Sequence, residues 1–472
     1  MQKSTHRSDG THDGKRVLLV VPPALKSRSE VPDLGLGYVA TALRRKGFEV
    51  AVYQAEMDPD SSNTCRYAAR FQPHIIGIKL FSFELASARD VYLNLRETIP
   101  EAVFVAGGPH ASLAEPDHCM SYLPGLEFTI QGEGEISMPL LAEKILRDGG
   151  IPWTDIPGLI RRTGSGIRVN PPYRHDNLDD FDFPAWDLID PRDHARLWFW
   201  SRGYPGAPLL ATRGCSFHCA FCNQNFVNGK KVRRRSVGSV LAEMQLLQDE
   251  YGVHNFDFVD DNFLSHPAYV EQLMTGIIDK GWDIHWNSMG ARVDCLDRKL
   301  VRLMERAGAD TISIGMESGS PRIFASMNKG IKIDRLKDQV YTIAKNSTIR
   351  VLGMFILGYP TETADDIGQT IRYATRLPLS LAHFFTYLLI PGCDATDYLL
   401  QAGEISDVSW ENLGMDVHQY VPRGLTRKQL KRLYYWAYIR FFTPRAFRLL
   451  WQSRERMPYF FKYAFRKFIW RY

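Results

Sequence analysis

Residues 215–222 read Cys215-Ser-Phe-His-Cys219-Ala-Phe-Cys222 and follow closely on an apolar run, residues 208–212, that predicts a β-strand. Three thiolates can hold an iron-sulfur cluster and still leave one iron open, because cluster proteins usually supply four cysteine ligands. The open iron then takes a small molecule. The spacing therefore predicts a cluster that takes part in chemistry rather than one that stores electrons.

These cysteines have two alternative arrangements. A zinc site usually needs a second Cys or His pair at a similar spacing, whereas the remaining cysteines, at 65, 119, 295 and 393, are scattered singly. His218 is a candidate fourth ligand, but it lies between two ligands and we expect its side chain to point away. We therefore expect Cys215, Cys219 and Cys222 to be the metal ligands.

From residue 207 to residue 395, short apolar runs alternate with helical patterns, which is the sequence form of β/α units. Helices are expected at 237–251, 268–280 and 364–376, and strands near 208–212, 255–260, 283–288, 310–316, 350–357 and 383–390. Six β/α units make a partial barrel, whose active site lies at the strand C-termini. The cysteine loop follows the first of these strands, as that geometry requires.

Polar or glycine-rich segments follow the predicted barrel strands. Carboxylates such as Glu317 can accept hydrogen bonds from hydroxyl or ammonium groups, and Arg292 can pair with a carboxylate. Structural salt bridges at the strand ends are the alternative for any one of these residues; for the whole set we favour a ligand site. The candidates are Phe221, Asp260, Asp261, Ser288, Arg292, Glu317, Ser318 and Pro391.

The cysteine loop, its preceding strand and these strand ends together resemble the radical S-adenosylmethionine (SAM) enzymes. The resemblance implies a 4Fe-4S cluster whose open iron binds SAM, with the strand ends holding the rest of the SAM molecule. It also implies that a hydrogen atom is removed from the substrate by a radical that the cofactors supply. An iron-sulfur binding or electron-transfer protein without turnover is the non-enzyme alternative, although an electron carrier needs no SAM pocket.

Residues 16–150 show the pattern of a parallel sheet covered by helices on both faces. Strands are expected at 16–21, 48–54, 74–80, 102–106 and 127–131, and helices at 35–46, 84–99 and 136–148. Such a sheet binds ligands beyond the carboxyl ends of its strands, where glycines permit close backbone approach. The candidates at this edge are Gly35, Gly37, Ser82, Gly107, Gly108, His110, Gly132, Glu133 and Gly134.

The order of four motifs resembles the cobalamin-binding domain fused to one large class of radical SAM enzymes: Leu34-Gly-Leu-Gly-Tyr38, Pro73-His-Ile-Ile-Gly77, Gly107-Gly-Pro-His-Ala111 and Gly132-Glu-Gly-Glu135. The resemblance implies an α/β chain with a Rossmann-like cobalamin-binding domain, a partial (β/α)6 barrel and a helical C-terminal region. The Asp-x-His-x-x-Gly motif of many cobalamin proteins is absent after the first strand, so we expect no histidine ligand to cobalt from that loop. His110 is expected to serve the corrin side chains or the backbone.

Cobalamin together with a radical site implies a C-methyltransferase that acts on an unactivated carbon of a biosynthetic intermediate. The same architecture also supports oxidative cyclisation or rearrangement, as in the anaerobic tetrapyrrole cyclases that the chain resembles. A sheet that has lost its cofactor and serves as a scaffold is the alternative for the first domain.

The other segments differ in composition. Residues 1–15 are polar, lack the apolar core of a signal peptide and are expected to be a disordered lead-in. Residues 151–206 contain seven prolines and are expected to be a linker. Residues 396–472 are expected to be helical, basic and aromatic: from 421 onward, 14 Lys or Arg stand against one acid among 16 aromatic residues, although the whole chain carries only +5.

The basic aromatic segment 421–472 suits a helix on an anionic membrane surface. A helical cap on the barrel is the favoured alternative, and single-stranded nucleic acid is a third option that we do not expect. No apolar stretch is long enough to span a bilayer, and clustered cysteines favour a reducing compartment. We therefore expect a cytoplasmic protein, with peripheral contact at the inner membrane face as a hypothesis. Its expected partners are a small-molecule substrate, with a lipid, an isoprenoid or a tetrapyrrole as candidates, and a reductant protein such as a flavodoxin or ferredoxin.

Overall fold

The computed structural model describes residues 14–23, 31–55, 58, 60–194, 205–408, 410, 413 and 419–445. The chain divides into two compact units, residues 1–190 with 226–228 and residues 191–225 with 229–472. The predicted lead-in lies outside the described residues except for residues 14 and 15, and so does the part of the basic tail from 446 to 472.

The first unit is built on a seven-stranded sheet in the order β2-β1-β3-β4-β5-β6-β7, in which β1 to β5 are parallel. Its elements are β1 (Arg16–Val21), α1 (Leu34–Arg45), β2 (Glu49–Gln54), α2 (Ser62–Phe71), β3 (Ile75–Lys79), α3 (Leu85–Thr98), β4 (Val103–Gly107), α4 (Pro109–Leu113), α5 (Pro116–Tyr122), β5 (Phe128–Ile130), α6 (Gly134–Arg147), β6 (Leu159–Thr163) and β7 (Gly166–Val169).

The centre of this sheet is apolar because its strands are covered on both faces. In β1, Val17 to Val20 are fully or almost fully buried, and Val17 lies between Val50 of β2 and Ile75 of β3. The chain leaves β1 toward β2 on one side and returns beside it as β3 on the other. This change of direction creates the kind of crevice at which doubly wound sheets bind ligands.

The segment 151–206 differs from the linker that its prolines predict. It contains β6 and β7, which extend the first sheet through antiparallel pairing: β6 pairs with β5, and β7 with β6. Both strands carry arginines and exposed positions, so they lack the apolar run of a central strand. An edge location explains this composition, because an edge strand is only partly covered.

The second unit is built on a six-stranded parallel sheet in the order β15-β14-β13-β12-β11-β8, with a separate two-stranded ribbon of β9 and β10. Its elements, with the short helix α7 in chain order, are β8 (Gly206–Leu209), β9 (Thr212–Arg213), α7 (Gln224–Val227), β10 (Arg233–Arg234), α8 (Val237–Tyr251), β11 (Asn255–Phe258), α9 (Pro267–Asp279), β12 (His285–Ala291), α10 (Arg298–Arg306), β13 (Ala309–Glu317), α11 (Pro321–Ser326), α12 (Ile333–Asn346), β14 (Arg350–Leu357), α13 (Ala364–Arg376), β15 (Leu381–Thr386), α14 (Asp394–Gln401) and α15 (Arg427–Phe442).

Local sequence signals fix the helices between these strands. The Ser236 side chain caps α8 by accepting from the N–H of Ser239, and Gly252 ends that helix at a φ of 64°. Helix α13 begins with a capping box formed by Thr363 and Asp366. The six parallel strands therefore present their carboxyl ends at one edge, and the predicted partial barrel is confirmed.

In the described part of the C-terminal region, the α-helices are α14 and α15, and turns and irregular segments lie between them. Helix α15 packs against α13 and β15, and it buries Leu430, Tyr434, Ala437 and Phe441. The Tyr438 hydroxyl accepts a hydrogen bond from the Phe384 N–H at 3.2 Å and lies 3.1 Å from the Phe384 carbonyl oxygen. One face of the helix is therefore a cap on the second sheet. Among the described residues, no helix combines the length and apolar character that crossing a bilayer requires.

Candidate cofactor sites

The cysteine loop begins after β9, beyond the carboxyl end of β8, and it is fixed by backbone hydrogen bonds. The Cys215 N–H donates to the Gly229 carbonyl at 3.1 Å, and the Cys222 N–H donates to the Cys219 carbonyl at 3.0 Å. The Ala220 N–H donates to the carbonyl of Met327, which follows α11, at 2.9 Å. The loop is thus held from within and from a neighbouring β/α unit, while all three cysteine side chains stay half-buried and free of disulfides.

Burial keeps the bare thiols of Cys219 and Cys222 neutral. It raises the pKa of Cys222 to about 11, and it raises the pKa of Cys219 as well. For Cys219, nearby Lys329 lowers the pKa and nearby Glu317 raises it, both less strongly than burial. A thiolate is the metal ligand, so iron must displace the proton when it binds. Three soft sulfur donors in a partly dehydrated loop fit an iron-sulfur cluster.

Among the residues that the structure describes, no group of three His, Cys, Asp or Glu side chains is arranged to hold a single metal ion. A cluster spreads its ligands over several irons and needs no such convergence. His218, the candidate fourth ligand, instead contacts Asp394 at the start of α14, with 3.0 Å between Nε2 and Oδ2.

Asp260 and Asp261, which follow β11, hold the backbone that leads into the cysteine loop. Asp260 accepts from the N–H of Ala211 at 3.3 Å and from the N–H of Thr212 at 2.5 Å. Asp261 accepts from the N–H of Gly214 at 2.9 Å. Asp260 is fully buried, and this burial raises its pKa to about 7. Both residues therefore position the loop, which is a contact that the sequence did not reveal; their predicted binding of SAM stays a prediction.

Gly214 shows why the loop requires a glycine at its entrance. Its φ is 95°, and a Cβ at this position would lie 2.4 Å from the carbonyl oxygen of Lys231. Side chains rarely adopt this backbone region, and here there is no room for one.

Arg292 follows β12 and is engaged by protein groups. Its guanidinium carbon lies 3.4 Å from the centre of the Phe217 ring, inside the cysteine loop. It donates to Asp294 at 2.6 Å and to the carbonyl oxygen of Lys329. Stacking of this kind is a cation–π contact. The structure thus places Arg292 against the loop, and its predicted pairing with a ligand carboxylate stays a prediction.

Glu317 ends β13 and forms a buried ion pair with Lys329, a residue that sequence analysis missed. The Lys329 ammonium lies 2.6 Å from Oε1 of Glu317 and 2.7 Å from the carbonyl oxygen of Gly315. Glu317 adopts a φ of 56°, in the left-handed region. A Cβ on Gly315 would lie 2.1 Å from the Glu317 carboxylate and 2.5 Å from the ammonium. Gly315 is therefore needed to leave room for the Glu317–Lys329 ion pair.

The remaining barrel candidates lie in different surroundings. Ser318 is buried, and its hydroxyl lies 3.1 Å from that of Thr370 in α13, so it packs behind the edge. Phe221 packs against an apolar cluster that contains Tyr359 and Tyr387. Pro391 is half-buried beyond the end of β15.

Several buried polar atoms near this edge have no hydrogen-bond partner within the described part of the chain, among them Thr212 Oγ1, Asn262 Nδ2 and Ser288 Oγ. They come from the segments at or after β8, β11 and β12. Buried polar groups in native proteins are normally satisfied, so such a set needs an explanation. A polar ligand at the carboxyl edge would supply the missing partners, and the residues present therefore fit SAM.

The carboxyl edge of the first sheet is formed mainly by backbone turns. Gly108 follows β4 with a φ of 98°, and Gly132 follows β5 with a φ of 78°. A Cβ on Gly108 would lie 3.0 Å from the carbonyl oxygen of Leu80, at the end of β3. The Gly132 N–H donates to the Ser112 hydroxyl at 2.9 Å. The turns after β3, β4 and β5 are thus drawn together with little side-chain bulk between them.

His110 joins two of these turns as a neutral side chain. Its Nδ1 lies 3.1 Å from the Ser82 hydroxyl, and its ring centre lies 5.5 Å from that of His118. Burial lowers the pKa of His110 to about 3, and His118 adds to that shift. The Phe81 ring, which precedes Ser82 in the chain and follows β3, is 43% exposed. Glycine turns, a neutral imidazole and an open aromatic ring fit a large, mostly apolar macrocycle such as cobalamin.

Other predicted residues of the first unit have packing or capping roles. A Cβ on Gly37 would lie 2.6 Å from Ile189, and a Cβ on Gly134 would lie 2.9 Å from Val39. Gly37 therefore lets α1 pack closely against Ile189, and Gly134 lets the start of α6 pack closely against α1; their predicted cofactor contacts stay predictions. Gly107 ends β4, and its carbonyl accepts from the Leu80 N–H at 2.7 Å.

Gly35 and Glu133 lie at the starts of the same two helices. Gly35 is beside Asp33, which caps α1 and pairs with Lys79 at 2.5 Å. Glu133 precedes α6 and accepts from the N–H of His175 at 2.9 Å. The predicted cofactor contacts of these residues stay predictions.

Comparison with known proteins matches both units. The model of the radical SAM superfamily matches residues 209–374, and the model of the B12 binding domain matches residues 21–142. An uncharacterized methyltransferase of Pyrococcus horikoshii is 30% identical over 90% of this chain and 92% of its own length. The cytidylyl-2-hydroxyethylphosphonate methyltransferase of Streptomyces wedmorensis is 27% identical over 82% of each chain.

The chain is also similar to the anaerobic magnesium-protoporphyrin IX monomethyl ester cyclase of Rubrivivax gelatinosus, at 24% identity over 92% of this chain and 78% of the cyclase. Among solved structures, the radical SAM methyltransferase TsrM of Kitasatospora setae, with cobalamin and a 4Fe-4S cluster bound, superposes with a TM-score of 0.68 at 20% identity, covering 84% of this chain and 76% of TsrM. At that identity the likeness bears on the fold.

Proposed function

The chain belongs to the cobalamin-binding radical SAM family, and on this basis we propose that it is a C-methyltransferase acting on an unactivated carbon of a biosynthetic intermediate. One observation carries the proposal: a single chain contains both family domains and aligns with a methyltransferase over 92% of that protein's length. When bound, the 4Fe-4S cluster and SAM supply a radical that removes hydrogen, and cobalamin supplies a carrier for the methyl group.

In this proposal, different residues of the chain hold the cluster, SAM and cobalamin. Cys215, Cys219 and Cys222 hold the cluster, while Asp260 and Asp261 fix the start of their loop through backbone N–H groups. The orphan hydroxyl of Ser288 and the amide of Asn262 are suited to hydrogen-bond SAM. In the first unit, the turns at Gly108 and Gly132 leave space for the corrin ring, and His110 serves as a neutral support rather than as a charged one.

The partners follow from the same chemistry. The substrate is a small molecule, with a lipid, an isoprenoid or a tetrapyrrole as the candidate classes. A reductant protein such as a flavodoxin or ferredoxin delivers the electron. Thiolate ligands persist in a reducing compartment, which supports a cytoplasmic location.

Oxidative cyclisation is the second candidate reaction. The similarity to the Rubrivivax gelatinosus cyclase over 92% of this chain favours it. A cyclase needs SAM only as the source of the radical, whereas a methyltransferase also uses SAM as the methyl donor. The two reactions therefore leave different products from SAM.

Product analysis of the anaerobically reconstituted full chain tests the proposal. The protein is loaded with iron, sulfide and cobalamin, given SAM and a chemical reductant, and assayed for S-adenosylhomocysteine and 5′-deoxyadenosine. We expect about one S-adenosylhomocysteine per bound cobalamin even without substrate, because methyl transfer from SAM to the carrier precedes the substrate step. We also expect slow release of 5′-deoxyadenosine.

Two cysteine variants provide matched controls. Cys219→Ala should abolish 5′-deoxyadenosine formation, whereas Cys295→Ala, at an exposed position outside the loop, should leave both products unchanged. Formation of 5′-deoxyadenosine without any cobalamin-dependent S-adenosylhomocysteine would contradict methyl transfer and favour the cyclase. Absence of both products from a protein shown to hold its cofactors would contradict the enzyme proposal.

A further inference from the structure

Helix α15 carries two faces of opposite character. The inner face, Leu430, Tyr434, Ala437 and Phe441, is buried against the second sheet. What we call the outer face consists of exposed residues, two of them large and apolar: Lys428, Lys431, Arg432, Trp436, Ile439 and Arg440. Spacings of four residues align Lys428, Arg432, Trp436 and Arg440 along one stripe. The capping function of the helix therefore leaves a second face unused.

The exposure of this apolar pair is unusual. Trp436 is 50% exposed and Ile439 is 53% exposed, although the inner face of the same helix is well packed. Single exposed apolar residues need no explanation, but here two of them adjoin four cations. None of Lys428, Lys431, Arg432 and Arg440 forms an ion pair with a described residue. The face thus combines apolar anchors with positive charges that have no anionic partner in the described part of the chain.

The charge of the face determines what can cover it. Helix α15 contains no Asp or Glu. Residues 446–472, which follow it in the sequence, hold seven Lys or Arg against one acid, Glu455. Like charges repel, so this segment is not the electrostatic complement of the outer face. The outer face and residues 446–472 are instead both complementary to a negatively charged partner.

We propose that the outer face of α15 binds the surface of an anionic phospholipid bilayer. Lys and Arg at such a surface are attracted to lipid headgroups, while Trp and Ile enter the boundary between headgroups and acyl chains. An isoleucine anchor favours a bilayer over a nucleic acid, because nucleic-acid binding depends on phosphate contacts and aromatic stacking. The cap and membrane interpretations of this segment are thus compatible, since each uses a different face. The proposal does not depend on which reaction the barrel catalyses.

Vesicle flotation of the full reconstituted chain tests this assignment. Vesicles of phosphatidylcholine with about one-third phosphatidylglycerol should bind the protein, and vesicles of phosphatidylcholine alone should not. Binding should weaken as salt rises from 0.05 to about 0.5 M, because surface charge is screened over a shorter distance. Failure of the wild-type chain to bind anionic vesicles at low salt would overturn the proposal.

Two outer-face variants separate the charged and apolar contributions. Replacing Lys428, Lys431, Arg432 and Arg440 by Gln should lower partitioning at least about 100-fold, because each cation near an anionic surface is worth roughly fivefold. Trp436→Ala with Ile439→Ala should lower it roughly tenfold. Both variants alter exposed side chains, so the midpoint of thermal unfolding should stay within about 2 °C of the wild type.

Matched controls change the same residue types elsewhere in the second unit. Tyr398→Ala with Leu400→Ala removes two exposed apolar side chains of α14, which are 46% and 39% exposed. Gln at Arg298, Arg302, Lys337 and Lys345 removes four exposed cations of α10 and α12. Both control proteins should bind anionic vesicles like the wild type. The assignment would be overturned if the control variants lost as much vesicle binding as the outer-face variants, or if the outer-face variants bound vesicles like the wild type. It would also be overturned if the chain bound single-stranded nucleic acid but not vesicles, and if this nucleic-acid binding depended on the outer-face residues.

Discussion

The carboxyl edges of the two sheets differ in the groups that form them. In the second sheet, the edge holds buried ionisable side chains that are paired with each other or with backbone, such as Glu317 with Lys329 and Asp260 with the N–H of Thr212. In the first sheet, the edge is formed mainly by glycine turns and the neutral His110, although Lys79 at the end of β3 also forms an ion pair with Asp33 there. Several buried ionisable side chains suit a small, charged ligand such as SAM, whereas an edge made mainly of backbone turns suits a large macrocycle. The same parallel architecture thus supports two kinds of recognition.

The largest effect should follow from breaking the charge pair of the second edge. Lys329→Met leaves the Glu317 carboxylate unpaired, and both side chains are less than 10% exposed. Loss of one partner of a buried pair typically costs about 3–5 kcal/mol. Urea titration of the full chain should therefore show a loss of that size in the transition of the second unit.

The controls for this change are a double variant and a surface pair. Lys329→Met combined with Glu317→Gln should recover most of the lost stability, because no charge is left unpaired. Lys299→Met breaks the Lys299–Glu271 pair, which has the same 2.6 Å separation but lies on the surface, and should cost less than about 1 kcal/mol. If Lys329→Met lowers the free energy of unfolding by no more than Lys299→Met does, the Glu317–Lys329 pair does not stabilise this edge as we propose.

A smaller effect is expected from adding one methyl group to the first edge. Gly108→Ala forces a side chain into a φ of 98° beside the Leu80 carbonyl oxygen, which should cost about 1–3 kcal/mol. Cobalamin retention should fall as well, since the turn must shift. Gly164→Ala is the matched control, because it has no atom within 4 Å and no positive φ. If the two variants have the same urea midpoint for unfolding of the first unit, the proposal that backbone turns form this edge is contradicted.

The smallest predicted effect is an opposite response of the two units to pH. Burial raises the pKa of Glu362, at the end of β14, to about 8, and it lowers the pKa of His110 to about 3. Neutral Glu362 contributes stability below about pH 4.5, which is lost as pH rises toward 8; neutral His110 contributes stability above about pH 6.5, which is lost as pH falls toward 3. Each loss should reach at least about 1 kcal/mol.

Urea titrations between pH 4 and pH 8.5 check this response. Glu362→Gln should flatten the alkaline decline of the second unit and leave the acid decline of the first unit unchanged. His110→Gln should do the converse. A variant that flattened both declines, or neither, would show that other groups control the pH dependence.

Sequence patterns located the elements whose signals are local. The strand Arg350–Leu357 and the helices Val237–Tyr251 and Ala364–Arg376 have the predicted bounds, because a continuous apolar run or a cap marks each end. Strands β6 and β7 were missed, since edge strands with arginines lack that run. The first barrel strand was predicted at 208–212 but spans Gly206–Leu209, because Thr212 belongs to the ribbon of β9 and β10.

Candidate site residues could be recognised in the sequence only where they lie close together along the chain. The three cysteines lie within eight residues, so their pattern is visible in the sequence. Lys329 lies in a loop more than 100 residues later, and nothing near it reveals that it pairs with Glu317 over Gly315. Gly37 and Gly134 lie in close contact with Ile189 and Val39, which the sequence did not reveal, and their predicted contacts with a cofactor stay predictions.

The most direct test of the two-edge account is the cofactor content of the reconstituted full chain and its Cys219→Ala variant. After removal of unbound cofactor, the wild-type chain should retain about four iron atoms and about one cobalamin. Cys219→Ala should lose nearly all of the iron and keep its cobalamin. A wild-type chain without cobalamin, or a Cys219→Ala chain with its full iron content, would contradict the account.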